Sequence, residues 1–226
     1  MQHARIGTGL RSTNDGVQAV LSSAHLLDPH RVSTVTASPK DLSALSLPNG
    51  WYYEHTPDDS ARFILGTDGD NPLICVGVNP SKATPYKLDP TVERVKRRAA
   101  RTQHDSWIML NLYPQRSTDP TGMHEVEIPG LRTQNELRIS RLLRNITKKP
   151  GSVSLLGAWG GLVTTRDYLP GMLRGIADVA DDLGCDWLSI GAPLKGGGHP
   201  RHPSRASYDT ALQPFDMAAY LRRLKV

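Results

Sequence analysis

Four short apolar runs, each ending abruptly in a polar loop, constrain this chain more than any other feature of its sequence. Leu73-Ile74-Cys75-Val76 passes into Gly77-Val78-Asn79-Pro80-Ser81, and Trp107-Ile108-Met109-Leu110-Asn111-Leu112 passes into Tyr113-Pro114-Gln115-Arg116. Val153-Ser154-Leu155-Leu156 runs into Gly157-Ala158-Trp159-Gly160-Gly161. Trp187-Leu188-Ser189-Ile190 runs into a Gly/Pro-rich loop that contains His199-Pro200-Arg201-His202-Pro203-Ser204. Strands covered on both faces read as continuous apolar runs, and helical patterns lie between these four. The expected fold is a three-layer α/β/α arrangement around a central four-stranded parallel sheet. Ligands of such sheets sit outside the carboxyl ends of the strands, where all four polar loops gather.

The flanking segments fit this frame. Residues 1–47 read as an N-terminal extension with one helix over residues 14–27, followed by a Ser/Thr/Pro-rich connection, and residues 48–226 as the α/β domain. Trp51–His55 and Arg62–Gly66 flank a Pro-Asp-Asp turn, the pattern of a hairpin at the entrance to the domain. Asp89-Pro90 is a helix start, with a carboxylate cap and proline at the first position. Val92, Val95 and Ala99 would form its buried stripe, and Arg94, Lys96, Arg97, Arg98 and Arg101 a basic outer surface. That surface suits a solvated helix face as well as a phosphate contact. Thr133-Gln134-Asn135-Glu136 has the form of a capping box opening a helix with Ile139, Leu142, Leu143 and Ile146 inward. A third helix would bury Leu173, Ile176, Ala177, Ala180 and Leu183 and stop at Gly184, and a last one would span about Phe215–Leu224.

The formal charge of +5 favours an anionic partner, nucleic acid first. Two cysteines, Cys75 and Cys185, lie in or beside strands without paired spacing, which fits reduced structural residues rather than a disulfide or a metal site. No apolar run approaches the ~18 residues of a membrane span. With no charged-then-apolar start either, a cytoplasmic location is expected. A Gly-x-Ser-x-Gly elbow is missing, as is a Lys-Ser/Thr after the glycines at 196–198, so neither the usual serine hydrolase nor a nucleotide P-loop is expected. His199 and His202 lack cysteine or carboxylate companions nearby in sequence, so no metal is expected.

The loops leave a cup lined by Asn79, Ser81, Asn111, Tyr113, Arg116, Trp159, His199 and His202. An asparagine amide both donates and accepts, as the edge of a purine or pyrimidine does. Tyrosine or tryptophan can stack on its face, and histidine can stabilise negative charge on a departing base. Structural roles compete at each position. Asn79 also suits pinning its own turn, Asn111 satisfying a strand-end carbonyl, and Trp159 filling the core.

In order and content these blocks resemble the uracil-DNA glycosylase-like superfamily. The matching residues are Gly77-Val78-Asn79-Pro80, Asn111 in Met109-Leu110-Asn111-Leu112, Trp159-Gly160, and His202-Pro203-Ser204. The chain also looks like a bacterial and phage family of unknown function with Asn-Pro-Ser and Pro-Arg-His-Pro blocks. The superfamily resemblance implies cleavage of an N-glycosidic bond after a base is swung out of the duplex. By it, Asn79 would hold the attacking water, Asn111 would bind the base edge, and His202 would donate to the departing base. Gly77, Ser81, Tyr113, Trp159 and His199 would complete the substrate pocket. Arg116, Lys195, Arg201, Ser204 and Arg205 would contact DNA. The most active branch carries aspartate where Asn79 stands, so another carboxylate, Asp89 or Asp119, is expected to serve as base. That branch also has a tyrosine where Ser81 stands, blocking bulky groups at the pyrimidine 5-position. Ser81 therefore leaves room for an enlarged or 5-substituted pyrimidine, for example one of phage DNA met in defence. The apolar wedge usual after His-Pro-Ser is replaced by Arg205-Ala206, so Arg205 would fill the gap in the duplex or hold a phosphate.

The expectation is thus a monofunctional DNA glycosylase, monomeric and free of cofactor or metal, with DNA as partner. Two rivals stay open: a non-catalytic module binding a modified base or nucleic acid, and an enzyme acting on a free nucleoside or nucleotide.

Overall fold

In the computed structural model, which describes residues 50–226, seven strands form one mixed sheet. The helix expected over residues 14–27 and the boundary at residue 47 lie outside the described residues. In chain order the strands are β1 (Trp51–His55), β2 (Arg62–Thr67), β3 (Pro72–Gly77), β4 (Ser106–Asn111), β5 (Ser154–Gly157), β6 (Asp186–Ile190) and β7 (Leu212–Pro214). Their spatial order is β1-β2-β4-β3-β5-β6-β7. The middle four pair in parallel, whereas β1, β2 and β7 join antiparallel. The sheet is therefore wider than the expected four strands. The hairpin is part of it, because Leu65 and Gly66 pair with Met109 and Ile108.

Alternation along the parallel strands divides the core in two. Ile74, Val76, Ile108, Leu110 and Leu155 face one side, under α2 (Pro129–Ile146), α3 (Tyr168–Asp182) and α4 (Met217–Leu224). Leu73, Cys75, Trp107, Met109 and Leu156 face the other, under α1 (Pro90–Arg101). Parallel strands need crossover helices, and right-handed crossovers run in opposite directions along the sheet place them on opposite faces. The chain steps from β3 to β4 through α1 and returns past β3 to β5 through α2.

Most helix expectations hold. Asp89 caps α1, its Oδ1 accepting from the Thr91 and Val92 amides at 2.9 Å each. Leu173, Ile176, Ala177 and Ala180 are buried in α3, and Gly184 follows with φ +67°. The last helix begins at Met217 behind an Asp216 cap rather than at Phe215. The start of α2 differs more. It opens at Pro129 after Ile128, which makes no side-chain cap, so Thr133–Glu136 lies inside the helix. Proline is suited to the first helical position, and the Ile128 amide is satisfied by the Tyr113 hydroxyl at 3.1 Å. Glu136 turns outward to pair with Arg132 instead of reaching back to a cap.

Close approach between β2 and β4 depends on Gly66. A Cβ there would stand 2.5 Å from the Trp107 carbonyl oxygen and 2.8 Å from the Ile108 Cα. Gly66→Ala is expected to cost about 1–3 kcal/mol, because backbone must move to admit the methyl. Urea unfolding measures it, and a loss within about 0.5 kcal/mol would show that β2 can shift freely.

No helix among the described residues is long and apolar enough to cross a membrane.

Candidate functional site

A cleft of about 810 Å³ opens at the carboxyl ends of the parallel strands. It lies where β3 meets β5, the place at which the strand order reverses, so two adjacent loops diverge and leave a crevice. Its floor and walls come from Gly77–Ser81 after β3, Met109 and Asn111 of β4, Trp159–Leu162 after β5, the first residues of α1, and the segment Arg201–Arg205.

Asn111 ends β4 and is 1% exposed. Its backbone carbonyl accepts from the Asn135 amide, but its own Nδ2 has no hydrogen-bond partner among the described residues. Leaving such a donor unpaired costs about 1–3 kcal/mol, and a hydrogen-bond acceptor entering the cleft would remove that cost. Gly77 stands beside it, and a Cβ there would come within 3.1 Å of Asn111 Oδ1.

Asn79 is fixed differently. Its Nδ2 donates to the carbonyls of Ser117, at 3.0 Å, and Pro80, at 3.2 Å. Only the nitrogen of an amide can face two carbonyls, so the side chain has one orientation, and Oδ1 accepts no hydrogen bond among the described residues of this cleft-lining side chain. The side chain of Ser81 adds little bulk to the same wall.

Across the cleft, a short 3-10 turn at Pro203–Arg205 carries His202 as its cap. The Ser204 amide donates to His202 Nδ1 at 3.2 Å, and Ser204 Oγ lies 2.7 Å from the same nitrogen. An Nδ1 that accepts from an N–H carries no proton, so the neutral ring holds its proton on Nε2. Burial holds the His202 pKa below the usual histidine range; Arg205 pushes it further down and Asp89 pulls it up. The ring is thus a neutral donor at pH 7. Asp89 lines the cleft while capping α1 with one oxygen.

The loop bearing His202 is tied to α1. Arg98 is buried, not on an outer surface, and donates to the Ser207 and Thr210 carbonyls at 2.7 Å each. Arg101 pairs with Asp209 at 2.6 Å, and Arg94 reaches the Ala206 carbonyl at 3.4 Å. Three of the five residues of the expected basic face are therefore spent on fastening the chain that follows Ser204, leaving Lys96 and Arg97 exposed.

The strand ends bring together Gly77, Asn79, Ser81, Asp89, Asn111, Trp159, Arg201, His202, Ser204 and Arg205. Five expected residues stand elsewhere. Tyr113 is fully buried, its hydroxyl 2.7 Å from His124 Nδ1 and accepting from Ile128, because a strand-end phenol turned inward needs partners there. His199 faces α4, with Nδ1 2.7 Å from the Tyr220 hydroxyl. Arg116 donates to the Ser81 carbonyl at 2.6 Å and pairs with Asp59 at 3.0 Å, so it braces the Asn79 loop from outside the cleft. Lys195 is exposed outside the cleft. Trp159 walls the cleft but is 0% exposed and donates from Nε1 to Tyr220 at 3.0 Å, so it packs and does not offer a stacking face. Asp119 holds the Thr121 amide and does not line the cleft.

Two residues escaped the sequence reading. Arg62 reads as part of an apolar strand yet lines the cleft. Asn135 reads as part of a cap yet is buried, donating to the carbonyls of Asn111, at 2.9 Å, and Leu112, at 3.0 Å. It thereby holds the end of β4 in place. Among the described residues no three His, Cys, Asp or Glu side chains are grouped to hold a metal ion.

Residues 62–204 match the model of a family described as "Protein of unknown function (DUF1643)". No curated protein and no solved structure matches the chain. The matched span contains every cleft residue named above except Arg205.

Proposed function

The chain belongs to the DUF1643 family, whose description assigns no activity, and on the chemistry of its cleft we propose that it is a DNA glycosylase of the uracil-DNA glycosylase-like kind. It would release an enlarged or 5-substituted pyrimidine from a flipped-out nucleotide and leave an abasic site. The observation that carries this reading is the buried, unpartnered amide of Asn111 at the base of a cleft roomy enough for a nucleotide. An amide so placed fits the edge of a heterocycle better than a sugar or an acyl chain, because it can donate and accept in one plane.

Each remaining group then has a task. As the bond from C1′ to the base nitrogen breaks, the electron pair leaves with the base and positive charge develops on the sugar. The His202 Nε2 proton, aimed at the base, stabilises its negative charge without being transferred at that moment. Asn79 Oδ1 accepts one hydrogen of the water that attacks C1′. The other proton passes to Asp89, whose second carboxylate oxygen is not used in capping α1. Arg201 and Arg205, at the mouth, suit the flanking phosphates. Within the enzyme reading, DNA is the partner and no cofactor is needed.

A reader of modified bases is the second reading, and a specific observation favours it: Asn79 cannot act as a base and Asp89 is partly committed to its helix. The test is base release from duplexes carrying uracil, mismatched thymine, 5-hydroxymethylcytosine or bulkier 5-substituted cytosines, with alkali revealing abasic sites. Cleavage at an enlarged pyrimidine, with uracil a poor substrate, is the expected result. Tight, salt-sensitive binding without abasic sites on any duplex would favour the reader, and binding insensitive to salt would favour a free nucleoside or nucleotide as ligand.

A further inference from the structure

Behind the Ser81 wall two arginines are packed together, and one of them, Arg62, has no ion-pair partner in contact among the described residues. Arg62 is 1% exposed and lines the cleft. Its Nη1 donates to the Ala83 carbonyl at 3.1 Å, and its Nε has no hydrogen-bond partner among the described residues. Arg116 Nη1 donates to the same carbonyl at 3.2 Å and to Ser81 at 2.6 Å, and its Nε is likewise unpartnered. Asp59 pairs with Arg116 and is itself mostly exposed, while Asp89 acts on Arg62 across the cleft without forming an ion pair with it among the described residues.

This placement of Arg62 is built into the sheet. Pairing of β1 with β2 slips between Glu54 and His55, leaving Phe63 as a bulge. Phe63 and Ile64 then both join the core under α2, while Leu65 joins the other core. The bulge reverses the alternation and sends Arg62 to the α1 side, where the Ala83 carbonyl and the cleft are. Bulges commonly re-aim a side chain beside a functional site. A buried cation with no ion-pair partner in contact among the described residues is costly; burial and then the neighbouring Arg116 lower its pKa to about 10, against the pull of Asp89, so it stays charged at pH 7.

We propose that Arg62 is an oxyanion-recognition residue of the cleft, and that the base taken there carries an acidic substituent, a carboxylate or phosphate, reaching past Ser81 to its guanidinium. The inference rests on the base-binding reading above and specifies the substrate class. Ser81 leaves the space at the pyrimidine 5-position, and Arg62, bonded to Ala83 two residues further on, gives that space its charge. An anion there completes the hydrogen bonding of Nε and gives Arg62 the contact ion pair it lacks.

Calorimetric titration of the full chain with three deoxynucleoside ligands tests the proposal. These are 5-carboxy-2′-deoxycytidine, 5-hydroxymethyl-2′-deoxycytidine, and the 5′-phosphate of the latter. The carboxylate is expected to bind at least about tenfold more tightly than the neutral hydroxymethyl compound. Arg62→Gln, which keeps a donor for Ala83, should erase that preference, so that the carboxylate and hydroxymethyl compounds bind alike. Equal affinity for the two nucleosides, or no binding of either, overturns the proposal on the unaltered protein alone. A gain seen only with the 5′-phosphate, and lost in Arg62→Gln, assigns the anion to the nucleic-acid backbone and also overturns it. Duplexes carrying the same two bases separate this outcome from the enzyme reading. Faster release of the hydroxymethyl base would leave a glycosylase without an acidic substrate. A carboxylate preference in binding with no release of either base would leave the acidic ligand and remove the enzyme.

Discussion

His202→Phe is expected to lower base release by about 10²–10³-fold while DNA affinity changes little, since one preorganised donor to a developing anion is worth that much. Phenylalanine fills the ring's space, so the comparison isolates the Nε2 proton. Single-turnover release with excess protein measures the rate, and a filter or anisotropy assay measures binding. The pH profile carries a second signature. Burial keeps His202 neutral, and the neutral ring is the form whose Nδ1 accepts from Ser204. Protonation would set an N–H against that amide and place a cation beside Arg205. The rate of the unaltered protein should therefore be level from pH 8 to 7 and fall as pH drops below the ordinary histidine value of about 6.5. His202→Phe should lack the histidine-dependent part of that fall. A variant within about threefold of the unaltered rate would remove His202 from the chemistry.

Asn79→Asp is the substitution that a comparison of motifs would choose to improve the enzyme, and it should do the opposite. The Asn79 nitrogen serves two carbonyls, those of Ser117 and Pro80. A carboxylate oxygen in its place would meet both lone pairs with its own, losing two hydrogen bonds and adding repulsion. The expected cost is about 2–4 kcal/mol at pH 7. Because the new carboxyl is easier to protonate in the folded state than in the unfolded chain, its folded pKa lies above about 3.9. The deficit is full at neutral pH, shrinks as pH falls through that raised value, and is smallest below the unfolded one. Urea unfolding at pH 7 and pH 5 checks the direction. A variant as stable as its parent at pH 7, and faster in base release, would show that these carbonyls do not select an amide. The loop is built around asparagine; it is not an aspartate loop that has lost its acid.

The parts of the fold legible in the sequence were those in which local pattern and burial agree. β3 and β4 read as strands because both faces are covered, and α1 was marked by Asp89 and Pro90. β7 was hidden because it has only three residues and ends in Pro214. The bulge at Phe63 was hidden because it exists only in the pairing with β1. At Thr133–Glu136 the cap pattern was genuine as a pattern, but a proline four residues earlier supplied an earlier start and Asn135 was drawn into the core to hold β4. In the cleft, loop residues at strand ends were well placed by topology alone. Tyr113, His199 and Arg116 were misplaced because a polar tip near a strand end can turn either way, and each found a partner inside the protein: His124, Tyr220 and the Ser81 carbonyl. Arg62 could be found only by knowing which face of β2 it occupies.

One helix joins the two banks of the cleft. The bank that holds Asn79 leads into α1 at Asp89, and the bank that holds His202 is fastened further along the same helix by Arg94, Arg98 and Arg101. A helix of 12 residues is a bar about 18 Å long whose side chains keep fixed angles to one another. The gauge between the banks is thus written in helical register instead of loop length. Loops lengthened or recoloured on such a frame would change what the cleft admits while the distance between its banks stays the same.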